Sequence, residues 1–196
     1  MTDEILEREL LAAGLSFASA IREKLELYIR ELERWNRRVN LTSLLGAELV
    51  RRLVVEPAWI GQQLQMSGKL ADIGSGNGSP GIPLFVTRAM SGVHLIEART
   101  RRAAFLRHMA AQLDPRRVNV HKSRLEDMDE LEPVDWITLQ AVRPSGPLVE
   151  ALCRLCASTT HVVWITASQR APAPEALRVA VPWGGSEAWV FRLDQF

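Results

Sequence analysis

The sequence predicts an α/β fold, a mostly parallel sheet with an antiparallel last strand, behind an N-terminal helical extension. Three observations predict it. From Lys69 onward, short apolar runs suited to strands alternate with helix-length segments, the pattern of βα units. The first of those runs ends in Asp72-Ile73-Gly74-Ser75-Gly76-Asn77-Gly78-Ser79-Pro80-Gly81, where four glycines within eight positions let the chain turn sharply at a strand end. The last two runs have no helical segment between them, only Pro182-Trp183-Gly184-Gly185, which makes a hairpin and reverses the final strand. The helical extension is expected over 1–60 and the sheet domain over 61–196.

Each element follows from its own pattern. Residues 3–36 carry helical periodicity in two sets, Leu6, Leu10 and Leu11, then Ile21, Leu25, Tyr28, Leu32 and Trp35 at steps of three and four. Asn40-Leu41-Thr42-Ser43 interrupts it and offers capping side chains for a further helix through Leu49, Leu53 and Val54, with Pro57 inside or near its end. Strands are expected over 70–73, 93–97, 118–121, 136–139, 161–166, 177–181 and 188–193. Helices fill 81–90, 100–113 and 146–157. Ala171-Pro172-Ala173-Pro174 marks a loop, and no internal repeat occurs.

Composition narrows the function classes. With 196 residues and 47% apolar content, the chain suits one α/β domain with an appendage and a full core. No apolar run reaches the length of a membrane span, and MTDEILEREL is too charged for a signal peptide. The expectation is a cytoplasmic monomer with no membrane partner. Net charge is only +1, but arginine is clustered: Arg34, Arg37, Arg38, Arg51 and Arg52, then Arg99, Arg101, Arg102 and Arg107, then Arg116 and Arg117. Planar guanidinium forks suit phosphate, which makes a nucleic-acid partner plausible. Cys153 and Cys156 form an isolated Cys-x-x-Cys with no second pair or histidine motif nearby, so they read as reduced, helix-packed thiols and no metal is expected. His94, His108, His121 and His161 show no metal spacing; His94 and His161, in predicted strands, read as packing residues.

The glycine turn must choose among nucleotide ligands. A dinucleotide fingerprint needs Gly-x-Gly-x-x-Gly; Gly74 and Gly76 fit, but the third position is Ser79. A phosphate-cradling loop needs Gly-Lys-Ser/Thr, which is absent. What remains is Asp-x-Gly-x-Gly-x-Gly. The Asp72 carboxylate would repel a pyrophosphate but suits S-adenosylmethionine, which brings an ammonium and a sulfonium. Glu97 ends the next strand about 20–25 residues on, where nucleotide-binding βαβ units place the acid that grips ribose hydroxyls. A nicotinamide-dependent oxidoreductase shares that acid, and Ser79 and Asp72 count against it.

The stretches LERWNRRVNLTS, DIGSGNGSPGIP, HLIEARTRRAAFLRH and VNVHKSRLEDM together resemble the glucose-inhibited division protein B family, the bacterial 16S ribosomal RNA (guanine-N7)-methyltransferases. The resemblance runs from about residue 20 to 150 and continues more weakly to the end. It implies a Rossmann-like class I S-adenosylmethionine-dependent methyltransferase fold, with 16S ribosomal RNA or the small ribosomal subunit as partner. Carried over by position, it implies Gly74 and Ser79 at the methionine end of the cofactor, with Asp72, Ser75, Gly76 and Gly78 shaping the loop. It implies Glu97 at the ribose, and Leu125 and Glu126 flanking the adenine. Phe105-Leu106-Arg107 matches a helix facing the next layer, and Arg124 a basic position near the substrate cleft.

The departures fall on the substrate side. Where the family has Ser-Arg-Ala after the fourth strand, its arginine reaching the cofactor and substrate region, this chain has Leu139-Gln140-Ala141. Gln140 is by that position a cofactor-binding candidate, with a fixed charge and most of a donor fork lost. Arg143 lies three residues on and is a candidate to reach back. The family's Arg-His-Ile-Leu-Asp-Ser is Arg51-Arg52-Leu53-Val54-Val55-Glu56, and its lysine–glycine step after the fifth strand is Thr166-Ala167-Ser168. Guanine N7 carries an exposed lone pair, so transfer to it needs alignment and water exclusion rather than a general base. Donors to N7 and O6 are then required, and Arg124, Arg143, Arg52 and Gln140 are the positioning candidates. A divergent member that binds the cofactor but acts on another substrate, or only as an RNA-binding module, is the alternative.

Overall fold

The computed structural model describes residues 2–142, 145–167, 172, 175–183 and 186–195. Among these, seven strands form one sheet in the order β3-β2-β1-β4-β5-β7-β6. The strands are β1 Ser67–Ile73, β2 Ala89–Ile96, β3 Val118–His121, β4 Trp136–Gln140, β5 His161–Thr166, β6 Leu177–Ala180 and β7 Glu187–Arg192. The pairs β1–β2, β1–β4, β2–β3 and β4–β5 are parallel, and β7 is antiparallel to both β5 and β6. The expected hairpin is present, and its last strand is not the edge: β7 inserts between β5 and β6. Strand order reverses between β1 and β4, the crevice where open α/β sheets receive ligands.

The sheet is buried on both faces, which is why its central strands read as continuous apolar runs. Leu70, Val93, Leu95, Val163 and Ile165 face a core shared with the N-terminal helices. Ala71, Ile73, Ile96, Ile137 and Leu139 face a second core with helix α7, Gly146–Leu155. Two further helices connect strands on the first face, α5 Gly81–Thr87 and α6 Thr100–Leu113. α5 stops short of the expected residue 90 because β2 already begins at Ala89.

The expected N-terminal helix is two helices, α1 Thr2–Ala12 and α2 Ser19–Val39, parted where Gly14 takes a φ of 67°. Amphipathic periodicity continues across the break because both helices bury the same kind of face in one core. α2 ends with Asn40 left-handed at φ 53°. There the Asn36 carboxamide accepts from the Leu41 and Thr42 amides at 2.6 and 2.9 Å and donates to the Thr42 carbonyl at 2.8 Å. The Trp-Asn and Asn-Leu-Thr pattern is therefore the device that turns the chain off α2. Next come α3 Gly46–Val50, a π-turn Arg51–Val55 and α4 Glu56–Gln63 without interruption. Pro57 lacks an N–H for the ladder, and the backbone beside it widens, with the Glu56 amide donating to the Arg51 carbonyl.

Candidate functional site

The glycine turn is fastened to its neighbours by backbone before any side chain contributes. The Gly74 and Ser75 amides both donate to the Ile96 carbonyl at the end of β2, at 2.8 and 3.0 Å. A Cβ on Gly74, which has a φ of 74°, would stand 2.6 Å from Val142 Cγ2. The segment that follows β4 therefore presses close enough to require glycine here. Ser75 Oγ donates to the Asp72 carbonyl at 2.7 Å, and the Gly78 amide to the Ser75 carbonyl at 2.6 Å. α5 starts close against Asp72: a Cβ on Gly81 would lie 2.8 Å from its Oδ2.

Two carboxylates flank this turn. Asp72, 1% exposed, accepts from Thr138 Oγ1 of β4 at 2.7 Å, while its Oδ2 has no hydrogen-bond partner. Burial pushes its pKa up to about 6, against the pull of Thr138, Ser75 and the Gly81 amide. Such an acceptor suits a cationic ligand end. Glu97 accepts the Gly76 amide on Oε2 at 3.0 Å and the Arg99 amide on Oε1 at 2.7 Å. Lone pairs remain on both oxygens for a diol.

A cleft of about 200 Å³ opens between the ends of β1, β2, β3 and β4. Ile73, Ile96, Leu125, Val142 and Leu148 give it apolar walls, and Gly74, Glu97, Ser123, Arg124 and Glu126 its polar groups. Leu125 and Glu126 lie on a 3-10 turn, Leu125–Asp127, pinned by Arg154 of α7 donating to the Glu126 and Met128 carbonyls. Flat apolar walls with an acid at one end fit a nucleoside.

The expected residues divide into two groups. Gly74, Glu97, Leu125 and Glu126 line the cleft together with Arg124. Asp72, Ser75, Gly76, Gly78 and Ser79 are buried behind it and build the turn. Gln140 ends β4 beside them, with the Ser79 hydroxyl donating to its Oε1 at 3.4 Å. Ala141 follows at a φ of 54°, and Val142 closes the cleft against Gly74. Arg143 and Ser168 lie outside the described residues.

Tyr28, the sole tyrosine, carries no functional signal in the sequence. It is completely buried, and its hydroxyl donates to the Asn77 carbonyl at the tip of the turn, at 3.0 Å. Burial raises its pKa, which keeps it a donor. Forty-nine residues separate the pair, so local pattern could not find it. Val142 and Leu148 were missed as well, because an apolar wall looks like any core residue.

The second departure is also built into this edge. Glu56, 1% exposed, pairs with Arg52 Nη1 at 3.2 Å across the π-turn. Burial raises its pKa and Arg52 opposes this, with Ser186 and Trp183 close enough to oppose it further. Glu56 Oε2 and the Trp183 indole nitrogen each lack a partner of good geometry. Ser186 precedes Glu187, which pairs with Thr166 at the end of β5. Arg52 and Glu56 thus stand at the same edge of the sheet as the glycine turn. Val55 is buried in the first core, where a charge would be costly.

Among the described residues no thiol or histidine lines the cleft, although the Glu97 amide donates to the His121 carbonyl at 3.0 Å. Cys153 and Cys156 are free, and burial pushes Cys156 up to about 11, an inert thiol. His94 bonds His121 at 3.0 Å, and both have pKa values lowered by burial. His161 stacks on Trp136 with ring centroids 4.8 Å apart. No described helix is long and apolar enough to cross a membrane.

Known proteins match on both sequence and fold. Ribosomal RNA small subunit methyltransferase G of Xanthomonas oryzae pv. oryzae is 39% identical over 139 residues, 70% of this chain and 64% of that protein. The protein of the same name from Granulibacter bethesdensis is 38% identical over 150 residues, 76% of this chain and 69% of that one. The chain thus spans about two thirds of the length of these relatives, just under it for the first. Among solved structures, a methyltransferase from Geobacter sulfurreducens superposes with a TM-score of 0.57 at 13% identity, over 85% of this chain and 88% of that one. The C-terminal domain of precorrin-6Y C5,15-methyltransferase from Rhodobacter capsulatus gives 0.53 at 15%, over 76% and 91%. The fold is accordingly that of class I S-adenosylmethionine-dependent methyltransferases. Over residues 21–180 the sequence matches the GidB family, rRNA small subunit methyltransferase G, and to that family this chain belongs.

Proposed function

We propose that the chain transfers a methyl group from S-adenosylmethionine to N7 of a guanine in 16S ribosomal RNA. The observation that carries this reading is the convergence of Gly74, Glu97, Leu125 and Glu126 on one cleft at the point where strand order reverses. In this reading Glu97 holds the ribose diol, and Leu125 and Glu126 hold the adenine against Val142. Asp72, Ser75, Gly76, Gly78 and Ser79 form the seat of the methionine end, and the buried Asp72 supplies the field that favours its ammonium. Residues 1–60 supply substrate contacts and residues 61–196 the cofactor site, on one shared core.

When bound, the cofactor supplies an electrophilic methyl group on a sulfonium. The chain's own task is alignment, since guanine N7 is unprotonated at neutral pH and has no proton to remove. Arg124, Gln140 and Arg52 stand at the edge from which N7 and O6 would be met by donors. No residue is assigned as an acid or base.

A second reading is favoured by one observation. Gln140 sits beside the Ser79 hydroxyl and brings no charge where the family places arginine, so the chain would bind the cofactor yet act on another substrate. Titration calorimetry with S-adenosylhomocysteine and with NAD tests the part common to both readings. Micromolar binding of S-adenosylhomocysteine and none of NAD is expected. The reverse would remove the methyltransferase reading altogether.

A further inference from the structure

Most arginines of the first cluster are already occupied. Arg34 Nη2 lies 2.6 Å from Glu31, Arg51 Nε 2.8 Å from Glu9, and Arg52 Nη1 3.2 Å from Glu56. Arg37 and Arg38 are different: both are exposed, and neither has an ion pair or hydrogen bond among the described residues. With Arg34, Trp35 and Val39 they line a groove of about 440 Å³ at the end of α2. Trp35 gives its floor one aromatic ring, backed by the buried Phe105 of α6, which it meets edge-on at 5.8 Å.

The groove lies beyond the point where α2 packs on α6. α2 meets α6 around His108, which lies 2.5 Å from Glu31 and 5.3 Å, ring to ring, from Trp35, and Trp35 also meets Phe105. The first turn of α6 begins at Thr100, shortly after Glu97. That first turn carries Arg101 and Arg102 after Arg99 and has no acid. Cations at a helix N-terminus oppose its dipole, and the carboxylate at this helix start is Glu97, which accepts the Arg99 amide. Arg102 Nη1 in turn reaches within 3.4 Å of the Cβ position of Gly76. Basic side chains thus stand both at the groove and beside the glycine turn.

We propose that this groove docks the phosphate backbone of the substrate RNA and leads it to the cleft. The proposal rests on the RNA-methyltransferase reading above. Unpaired guanidinium forks over an aromatic floor suit a polyanion with stacking bases. A protein partner would have to bring its own acids in the same spacing, whereas RNA brings a charge at every residue.

The test compares wild type with Arg37→Ala/Arg38→Ala and with Arg116→Ala, a control at the far end of α6 that is also exposed. KM and kcat are measured on deproteinised small-subunit ribosomal RNA and on assembled subunits, alongside RNA affinity against salt and S-adenosylhomocysteine affinity. The double variant is expected to raise KM for naked RNA about tenfold and to lower the salt slope by roughly 1.4 to 1.8, as two lost phosphate contacts require. Its kcat, its cofactor affinity and the control should stay within about twofold of wild type. An unchanged KM in the double variant, or an equal rise in the control, overturns the docking surface and leaves the enzyme reading intact. A defect confined to assembled subunits assigns the groove to a ribosomal protein and also overturns it. A wild-type chain that neither binds nor methylates either RNA sample defeats the reading beneath the proposal, and the proposal falls with it.

Discussion

Around the glycine turn, Glu97 accepts two backbone amides, the Gly74 and Ser75 amides share the Ile96 carbonyl, and Tyr28 holds Asn77 from another helix. Around Gln140 the described contacts are fewer, a 3.4 Å hydroxyl contact and a left-handed Ala141, and at the same end of the sheet the Arg52–Glu56 pair leaves one carboxylate oxygen unpartnered. Both regions occupy the same edge of one sheet. The first is held by contacts complete within the chain and leaves one acceptor open, Asp72 Oδ2, whereas the second leaves Glu56 Oε2 and the Trp183 indole nitrogen open. Substitutions on the first side should act on cofactor affinity, and those on the second on RNA.

The largest effect is expected at Glu97. Glu97→Ala removes the acceptor of two charge-assisted hydrogen bonds and should weaken S-adenosylhomocysteine about 100-fold, on the order of 3 kcal/mol, by calorimetry. A loss below threefold would break the contrast on its cofactor side. Gln140→Arg works on the other side. Restoring a fork should raise kcat/KM for RNA about tenfold and leave S-adenosylhomocysteine affinity within about twofold. Equal changes in both quantities would mean that the two regions are not separable.

Asp72 predicts a pH dependence somewhat smaller than tenfold. Its folded pKa, about 6, lies above its ordinary 3.8, so the proton is bound more tightly in the folded state. The group's contribution to stability is therefore greatest at low pH and declines as pH rises through about 6. A cationic ligand end favours the ionised carboxyl. Affinity should accordingly tighten from about pH 5 to 7 and then level off. Asp72→Asn should flatten that profile. A wild-type affinity independent of pH over the same range would remove Asp72 from the ligand's field.

The smallest expected effect is at Tyr28. Tyr28→Phe deletes one oxygen and should weaken S-adenosylhomocysteine about fivefold, roughly 1 kcal/mol, with little change in melting temperature. A large fall in melting temperature with unchanged affinity would make Tyr28 a core residue alone.

Local chemistry explains how much of this was legible in the sequence. The turn and Glu97 are short-range features: glycines where φ must be positive, and an acid at the next strand end. The alternation of strands and helices likewise predicted the parallel sheet. The break at Gly14 was hidden because α1 and α2 keep one apolar periodicity on either side of it. The π-turn was hidden because its residues are ordinary helix formers. Tyr28–Asn77 and Arg52–Glu56 escaped for different reasons. One spans distant helix and loop; the other looks like a solvated pair until burial shows otherwise. The Asn36 network shows the reverse case, a recognisable motif whose work is to end a helix.

The central claim is methyl transfer to guanine N7, and mapping the product tests it most directly. The chain is expressed in bacteria lacking the family enzyme, and N7-methylguanosine in 16S ribosomal RNA is located by borohydride–aniline cleavage. The account predicts a single cleavage site that is restored by wild type and lost with Glu97→Ala. No cleavage from a folded chain that binds S-adenosylhomocysteine would contradict it.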